Sequence, residues 1–272
     1  MPLIQNRYGK GRVRVMRVHR EGAYNEVRDL TVRVLLDGDF SASYTAGDNR
    51  QVVATDTIKN ICYIVGRENL RANNEHYGQA LATRFLERYP QVTAAHVTLH
   101  ETRWTRTHEH AFLLDGNGKP SAEISATRAG MEVISGIEGF TFLKSTQSGW
   151  EDYVFDDYTT LPPTHDRIAA TAMDASWTWL RAPADYEATN RALLHTMLEL
   201  FATTYSKGVQ DSLYRMGEAA LADIPELGTI RMACPNKHYI PMNLDGFGLS
   251  ADNAVFIATD EPHGQIECVV GR

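Results

Sequence analysis

Cysteine is scarce in this chain: three residues in 272, Cys62, Cys234 and Cys268, with no Cys-x-x-Cys spacing. So sparse and odd a set argues against a disulfide scaffold and for a reducing compartment, each thiol being expected as a small buried apolar residue. No apolar run approaches the roughly 20 residues a membrane span needs. The first residues, Met1-Pro2-Leu3-Ile4-Gln5-Asn6-Arg7, lack the apolar stretch of a secretory leader, and Val269-Val270-Gly271-Arg272 is not a Ser-Lys-Leu address. The expectation is a cytoplasmic protein with no membrane partner. Positive charge is in deficit, 27 Lys and Arg against 34 Asp and Glu, for a net charge of −7. Without a basic run, that balance argues against a general nucleic-acid surface. An anionic ligand would need a locally positive pocket. Also missing are a Gly-x-Gly-x-x-Gly fingerprint, a P-loop, a Gly-x-Ser-x-Gly elbow and a His-Glu-x-x-His zinc motif.

What is present is ordinary for a soluble globular protein: 43% hydrophobic and 22% charged residues. The length suits one large or two modest domains. Val13, Val15 and Val18 among Arg12, Arg14 and Arg17 predict a first strand, with Met16 at a bulge. Residues 30–36 predict a second, closed at Asp37-Gly38-Asp39. Tyr77, Leu81, Phe85 and Tyr89 recur every fourth residue, so a helix is expected there, capped by Asn73 or Asn74 and stopped by Pro90. Alternating and β-branched residues over 92–114 and 123–134 predict a long hairpin, turning at Gly116 and Gly118-Lys119-Pro120.

The second half repeats the scheme. Residues 140–143 predict a strand. Leu193, Leu194, Met197, Leu198, Phe201 and Tyr205 trace a broad apolar helix stripe. A further helix is expected over 209–222, closed by Pro225. Short strands follow near 229–233, 238–243, 254–258 and 265–270. Strands, helices and strands in each half point to an α+β fold with antiparallel sheets. Ala54-Thr55-Asp56-Thr57 and Leu143-Lys144-Ser145-Thr146 form a faint echo. With it, the pattern predicts a duplicated chain of two domains, 1–134 and 135–272, with the boundary near 134–136.

Lys10, Thr55 and His238 supply an amine, a hydroxyl and an imidazole, the parts of a proton relay, with no accompanying cofactor motif. Few reactions run on proton traffic and positioning alone. One is oxidation of a substrate that itself hands electrons to dioxygen. Each residue taken singly has a blander reading: Lys10 as a solvated surface group, Thr55 and Asp56 as helix caps, Arg167 as a surface ion-pair partner, Trp150 as core. Gln210 alone would be a first-turn helix residue, and His238 a satisfied structural group.

Set in order, the blocks say more. Tyr8-Gly9-Lys10, Ala46-Gly47-Asp48-Asn49 leading into residues 52–60, Leu143-Lys144-Ser145-Thr146, Tyr158-Thr159-Thr160-Leu161, Asp166-Arg167-Ile168 and Pro235-Asn236-Lys237-His238-Tyr239 span nearly the whole chain. In order and spacing they resemble the urate oxidases (uricases). The resemblance implies a tandem T-fold (tunnelling fold) enzyme with helices on one face of each sheet, closing into a barrel on oligomerisation. It implies a cofactor-free homotetramer with active sites built where two subunits meet, turning urate, dioxygen and water into 5-hydroxyisourate and hydrogen peroxide. Lys10, Thr55 and His238 would be the relay. Lysine serves as a base only when desolvated beside other cationic groups, and histidine changes charge near neutrality.

The binding roles follow from the same resemblance. Arg167 offers a planar fork for a carbonyl and ring-nitrogen edge. Gln210 both donates and accepts, and Val209 with Gln210 opens a helix whose free amides favour an anion. Trp150 would stack on the flat substrate, where the family usually has Phe. Asn236 would hold dioxygen or water over the substrate plane. Thr55 and Asp56 would reach the opposite edge from a neighbouring subunit. Two further departures are Tyr153-Val154-Phe155-Asp156, where the family commonly has Phe followed two residues later by Arg, and Cys234 in place of Leu.

Two other functions compete. His96, His100, His108 and His110 cluster in sequence, and a zinc-dependent T-fold pterin enzyme would use such a set. Their spacing matches no ordered zinc motif, and a solvated hairpin is the expected home, with 108 and 110 on one face. A purine-binding sensor without turnover is the third reading, and the joint presence of Lys10, Thr55 and His238 speaks against it.

Overall fold

A computed structural model describes every residue except Ala72 and Ala251. The chain divides into two compact units, Met1–Gly136 and Ile137–Arg272. The first opens with β1 (Tyr8–His19) and β2 (Glu26–Gly38), then the short α1 (Ser41–Thr45), α2 (Thr55–Asn69) and α3 (Asn74–Arg88). It continues with β3 (Val92–Glu101), β4 (Arg103–Arg106), β5 (Phe112–Asp115), β6 (Lys119–Thr127) and the start of β7 (Gly130–Lys144). Its strand order is β1-β2-β3-β6-β7, with β4 and β5 paired separately. β1 with β2, β2 with β3 and β3 with β6 run antiparallel.

Alternation explains the core. Leu30, Val32, Val34 and Leu36 of β2 and Val97 and Leu99 of β3 are fully or almost fully buried, the period of two that puts one strand face inward. Ile58, Cys62 and Val65 of α2 and Tyr77, Leu81 and Phe85 of α3 cover that face, at the three- and four-residue spacing of a helix stripe. Each large side chain so buried contributes roughly 1.5–3 kcal/mol. The Asn73 side chain caps α3, accepting from the His76 amide at 2.9 Å. Pro90 follows two residues after the helix ends, where its missing N–H and its restriction on Tyr89 stop propagation.

The second unit takes up β7 and adds β8 (Ala169–Trp179), α4 (Tyr186–Thr203), α5 (Val209–Asp223), β9 (Leu227–Pro241) and β10 (Phe256–Gly271). Its order is β7-β8-β9-β10, with β8–β9 and β9–β10 antiparallel. Met173 and Trp177 of β8, Leu193, Met197 and Phe201 of α4, Leu213 and Met216 of α5 and Ile230 and Met232 of β9 form the core. Apart from the short α1, the separate β4–β5 pair and the shared β7 that follows β6, the first unit runs strand, strand, helix, helix, strand, strand, the order of β7 to β10 in the second. The three cysteines are free, Cys62 and Cys234 buried and Cys268 half-buried. Burial pushes the Cys62 and Cys234 thiols up to about 12. Among the described residues no helix is long and apolar enough to cross a membrane.

Several expectations are corrected. The bulge in β1 lies between Lys10 and Val13, with Arg12 at φ 54°, whereas Met16 sits in regular register with Asp29. The long hairpin is real as the β3–β6 pair but is interrupted by β4–β5, and residues 123–134 are broken by a turn before β7. Tyr205 lies beyond the end of α4. The four short strands of the second half are two long ones, β9 and β10, and β8 was not anticipated. The echoed tetrapeptides do not correspond: residues 54–57 start α2, whereas 143–146 leave the end of β7. The likeness between the units lies in element order.

Candidate active site

In the first unit, Lys10 and Thr55 are placed by their neighbours. Gly9 pairs with Leu35 so closely that a Cβ there would meet the Val34 carbonyl oxygen and stand 2.8 Å from Leu35 Cα. Only glycine permits that approach. Tyr8 is half-buried, its ring edge-on to Phe40 at 4.7 Å. The Tyr8 hydroxyl accepts from the Val53 amide at 2.7 Å and donates to the Val53 carbonyl at 3.2 Å. Strand β1 is thereby pinned, one residue before Gly9, to the segment that enters α2. Immediately after Lys10 the β-bulge turns the strand, a device that re-aims side chains.

Thr55 is the first residue of α2, not its cap: Ala54 holds the N-cap position and supplies no side-chain bond. Asp56 instead bonds forward to Lys59 at 2.5 Å and Asn60 at 3.0 Å. The Lys59 ammonium holds the Asp56 carboxyl below its usual range, with Lys10 adding a weaker pull. Thr55 and Asp56 are solvent-exposed and Lys10 is half-buried.

In the second unit, a cleft of about 1020 Å³ gathers Trp150, Arg167, Val209, Gln210, Asn236 and His238. Strand β9 carries Asn236 and His238 two residues apart, on one face by strand alternation. Beside them β10 bulges: Gly264 pairs with Asn236 and Thr259 with His238, leaving residues 260–263 opposite Lys237. The Lys237 ammonium meets Asp260 at 3.2 Å. Val209 and Gln210 open α5, whose N-cap Gly208 adds no side-chain bond. That glycine also makes room for Trp150, since a Cβ on it would lie 2.8 Å from the indole Cζ3.

Arg167 is anchored through its amide, which donates to the Ser148 carbonyl at 2.8 Å. Its guanidinium lies 5.7 Å from the Trp150 ring centroid, within cation–π range. Its Nε is buried without a hydrogen-bond partner among the described residues, and burial lowers its pKa. A buried, unsatisfied charged donor is costly. Arg167 lines the cleft with Gln210 and Asn236, and a cation together with two side-chain amides suits a flat anion with amide-like edges. Lys10, Thr55 and Asp56 are not among the residues lining this cleft, all of which belong to the second unit.

The profile of the uricase family matches residues 6–125 and 133–267. The chain belongs to the uricase family. It is 39% identical to the uricase of Arthrobacter globiformis over 272 residues, covering 99% of this chain and 90% of that one. It is 37% identical to the uricase of Aspergillus flavus, covering 98% and 95%. The crystal structure of uricase from Arthrobacter globiformis superposes with a TM-score of 0.96 at 38% identity, covering all of this chain and 95% of that one. A uricase from Bacillus fastidious, at 24% identity and TM-score 0.86, shares the fold.

Some cleft residues were not anticipated: Leu161, Tyr239, Phe256 and Gln265 also line it. Leu161 and Tyr239 lie inside blocks that carried the uricase resemblance, so a signal for them existed. Phe256 and Gln265 arrive only through the pairing of β10 with β9, which no local pattern announces. The histidines separate. His96 on β3 meets Asp37 at 2.9 Å and Ser125 at 3.1 Å. His108, Glu109 and His110 are exposed in the bend between β4 and β5, not on a strand, with donor atoms within 4.8 Å of one another.

Proposed function

We propose that this uricase-family chain oxidises urate with dioxygen and water to 5-hydroxyisourate and hydrogen peroxide, without a cofactor, in the course of purine breakdown. Urate is an electron-rich anion, and removal of a further proton makes it a better reductant toward dioxygen. The protein then has to supply a base, an oriented substrate and a dry place for oxygen to react. The observation that supports this best is the cleft that Arg167, half-buried and with its Nε unpaired among the described residues, lines together with Gln210, Asn236, His238 and the Trp150 ring.

In this reading Trp150 stacks on the purine. Arg167 and Gln210 grip its two polar edges, the first with a two-point fork. The Val209 and Gln210 amides, at the positive end of α5, favour its negative charge. Asn236 and His238, on one face of β9, manage dioxygen, water and the hydroperoxide proton. Lys10 and Thr55 complete the relay, with Asp56 on the substrate's far edge. These three come from the first unit of a neighbouring chain, so that the site is assembled between subunits of a homotetramer of tandem T-fold domains. Edge strands such as β1 and β10 carry unpaired backbone groups in a lone chain, and closure into a barrel would remove that liability.

Oxygen uptake strictly dependent on urate, with one peroxide per urate consumed by chelator-treated protein, tests the reading. Urate left intact, or consumed only after a metal is added, would refute it. A second reading, a zinc-dependent pterin enzyme of the same fold, draws on the grouping of His108, Glu109 and His110. Metal analysis of the purified protein decides between them.

A further inference from the structure

The segment that follows Trp150 carries an inference that rests on the urate-oxidising reading of the cleft. Asp152 stands at φ 55°, the left-handed region that Asp tolerates better than most residues with a side chain. The chain doubles back there and lays the Tyr153 ring nearly parallel to Trp150, with centroids 5.7 Å apart and planes 12° from parallel. The Tyr153 hydroxyl donates to the Leu161 carbonyl, and Leu161 lines the cleft with Trp150. At the neck of the same loop, the Trp150 amide donates to the Thr164 carbonyl at 2.7 Å and the Thr164 amide returns a bond at 3.0 Å. Gly208 closes against the edge of the indole, and Arg167 stands at its ring.

We propose that Tyr153 is a positioning residue for substrate binding: it backs the Trp150 ring and ties it to Leu161, setting the slot that receives a flat, fused-ring purine anion. A stacking ring is effective only if it is already in place, because ordering it on binding consumes affinity. Trp150 has its edge fixed by Gly208 and its backbone fixed by Thr164. Its face is held by Tyr153, so removal of Tyr153 loosens the ring without taking a group from the cleft lining. The tyrosine hydroxyl adds a tie to Leu161 that a phenylalanine in the same place would lack.

The test is steady-state urate oxidation by the assembled full-length protein, comparing wild type with Tyr153→Phe and Tyr153→Ala. Loss of the hydroxyl is expected to raise KM ~3-fold and loss of the ring ~10-fold, with kcat within about 2-fold, the signature of lost uniform binding. Equilibrium titration with xanthine, a flat purine read without turnover, should show its Kd rising in the same order. The phenylalanine variant retains the stack and the fold, so it carries the test should the alanine variant unfold. KM and Kd both unmoved in folded Tyr153→Phe, with only thermal stability reduced, would overturn the proposal. Wild-type protein that binds xanthine but leaves urate intact would refute the oxidase reading, and the xanthine series would still decide the role of Tyr153.

Discussion

Gly9→Ala is the most informative single substitution in the first unit. The added Cβ meets backbone, namely the Val34 carbonyl oxygen and, at 2.8 Å each, Val34 C and Leu35 Cα. No flexible side chain can yield there, so β1 and β2 have to separate where Gly9 pairs with Leu35. Forced overpacking costs about 1–3 kcal/mol, and a backbone clash belongs at the upper end, ~3 kcal/mol. For a chain of this size each kcal/mol moves Tm by about 2–4 °C, giving a fall of roughly 6–12 °C. Gly11→Ala is the internal control, because a Cβ at Gly11 meets nothing within 4 Å. Its effect is expected to stay within about 1 kcal/mol. Thermal unfolding of both variants, followed by urate turnover, makes the comparison. Gly9→Ala should also lose turnover, since Lys10 is the next residue and shares the displaced strand. Equal melting temperatures for the two variants would refute the claim that Gly9 exists to bring β1 against β2.

Lys10→Met and Thr55→Ala should each lower kcat by at least ~10²-fold with modest change in KM, as removal of a general acid–base partner does; unchanged turnover in both would remove the relay. Arg167→Lys retains charge but not the planar fork, and KM for urate should rise roughly 10–10²-fold; an unaltered KM would place the substrate elsewhere. The Arg7 guanidinium, bonded to Asp37 at 2.6 and 2.7 Å, holds the Asp37 carboxyl below its ordinary range, with His96 assisting. A depressed folded-state pKa gives stability that is full above the unfolded value near ~3.9 and is lost as pH falls through the lower folded one. Asp37→Asn should therefore flatten the acid side of the stability profile, read as urea midpoints between about pH 5 and 3; an unchanged slope would refute the assignment.

Periodicity revealed what short-range physics determines. The α3 stripe, its Asn73 cap and its stop at Pro90 were legible because apolar spacing, capping and the missing proline N–H all act within one segment. The start of α5 at Val209 was legible for the same reason. Strand limits were not. The strands expected near 229–233 and 238–243 are one continuous β9, in which Pro235 pairs with Gln265 of β10 and the strand runs on through it. Strand β8 alternates its buried face through Ala169, Thr171, Met173, Ala175 and Trp177, and the small or polar residues among the large ones blur the apolar period. The β1 bulge was misplaced because Gly11 and Arg12, not the apolar Met16, absorb the extra residue. Of the expected site residues, Trp150, Arg167, Val209, Gln210, Asn236 and His238 line one cleft while Lys10, Thr55 and Asp56 do not, and Phe256, Gln265 and the Lys237–Asp260 pair come from long-range pairing.

The central claim is that a cleft in the second unit of one chain works with Lys10 and Thr55 from the first unit of another. Complementation addresses it directly: Lys10→Met and Arg167→Ala chains, each inactive alone, are co-expressed so that they assemble together. Statistical mixing of two chain types in a symmetric oligomer should restore up to roughly a quarter of wild-type turnover, from sites that draw Lys10 from one chain and Arg167 from the other. Mixed assemblies that form and stay inactive would contradict a site shared between chains.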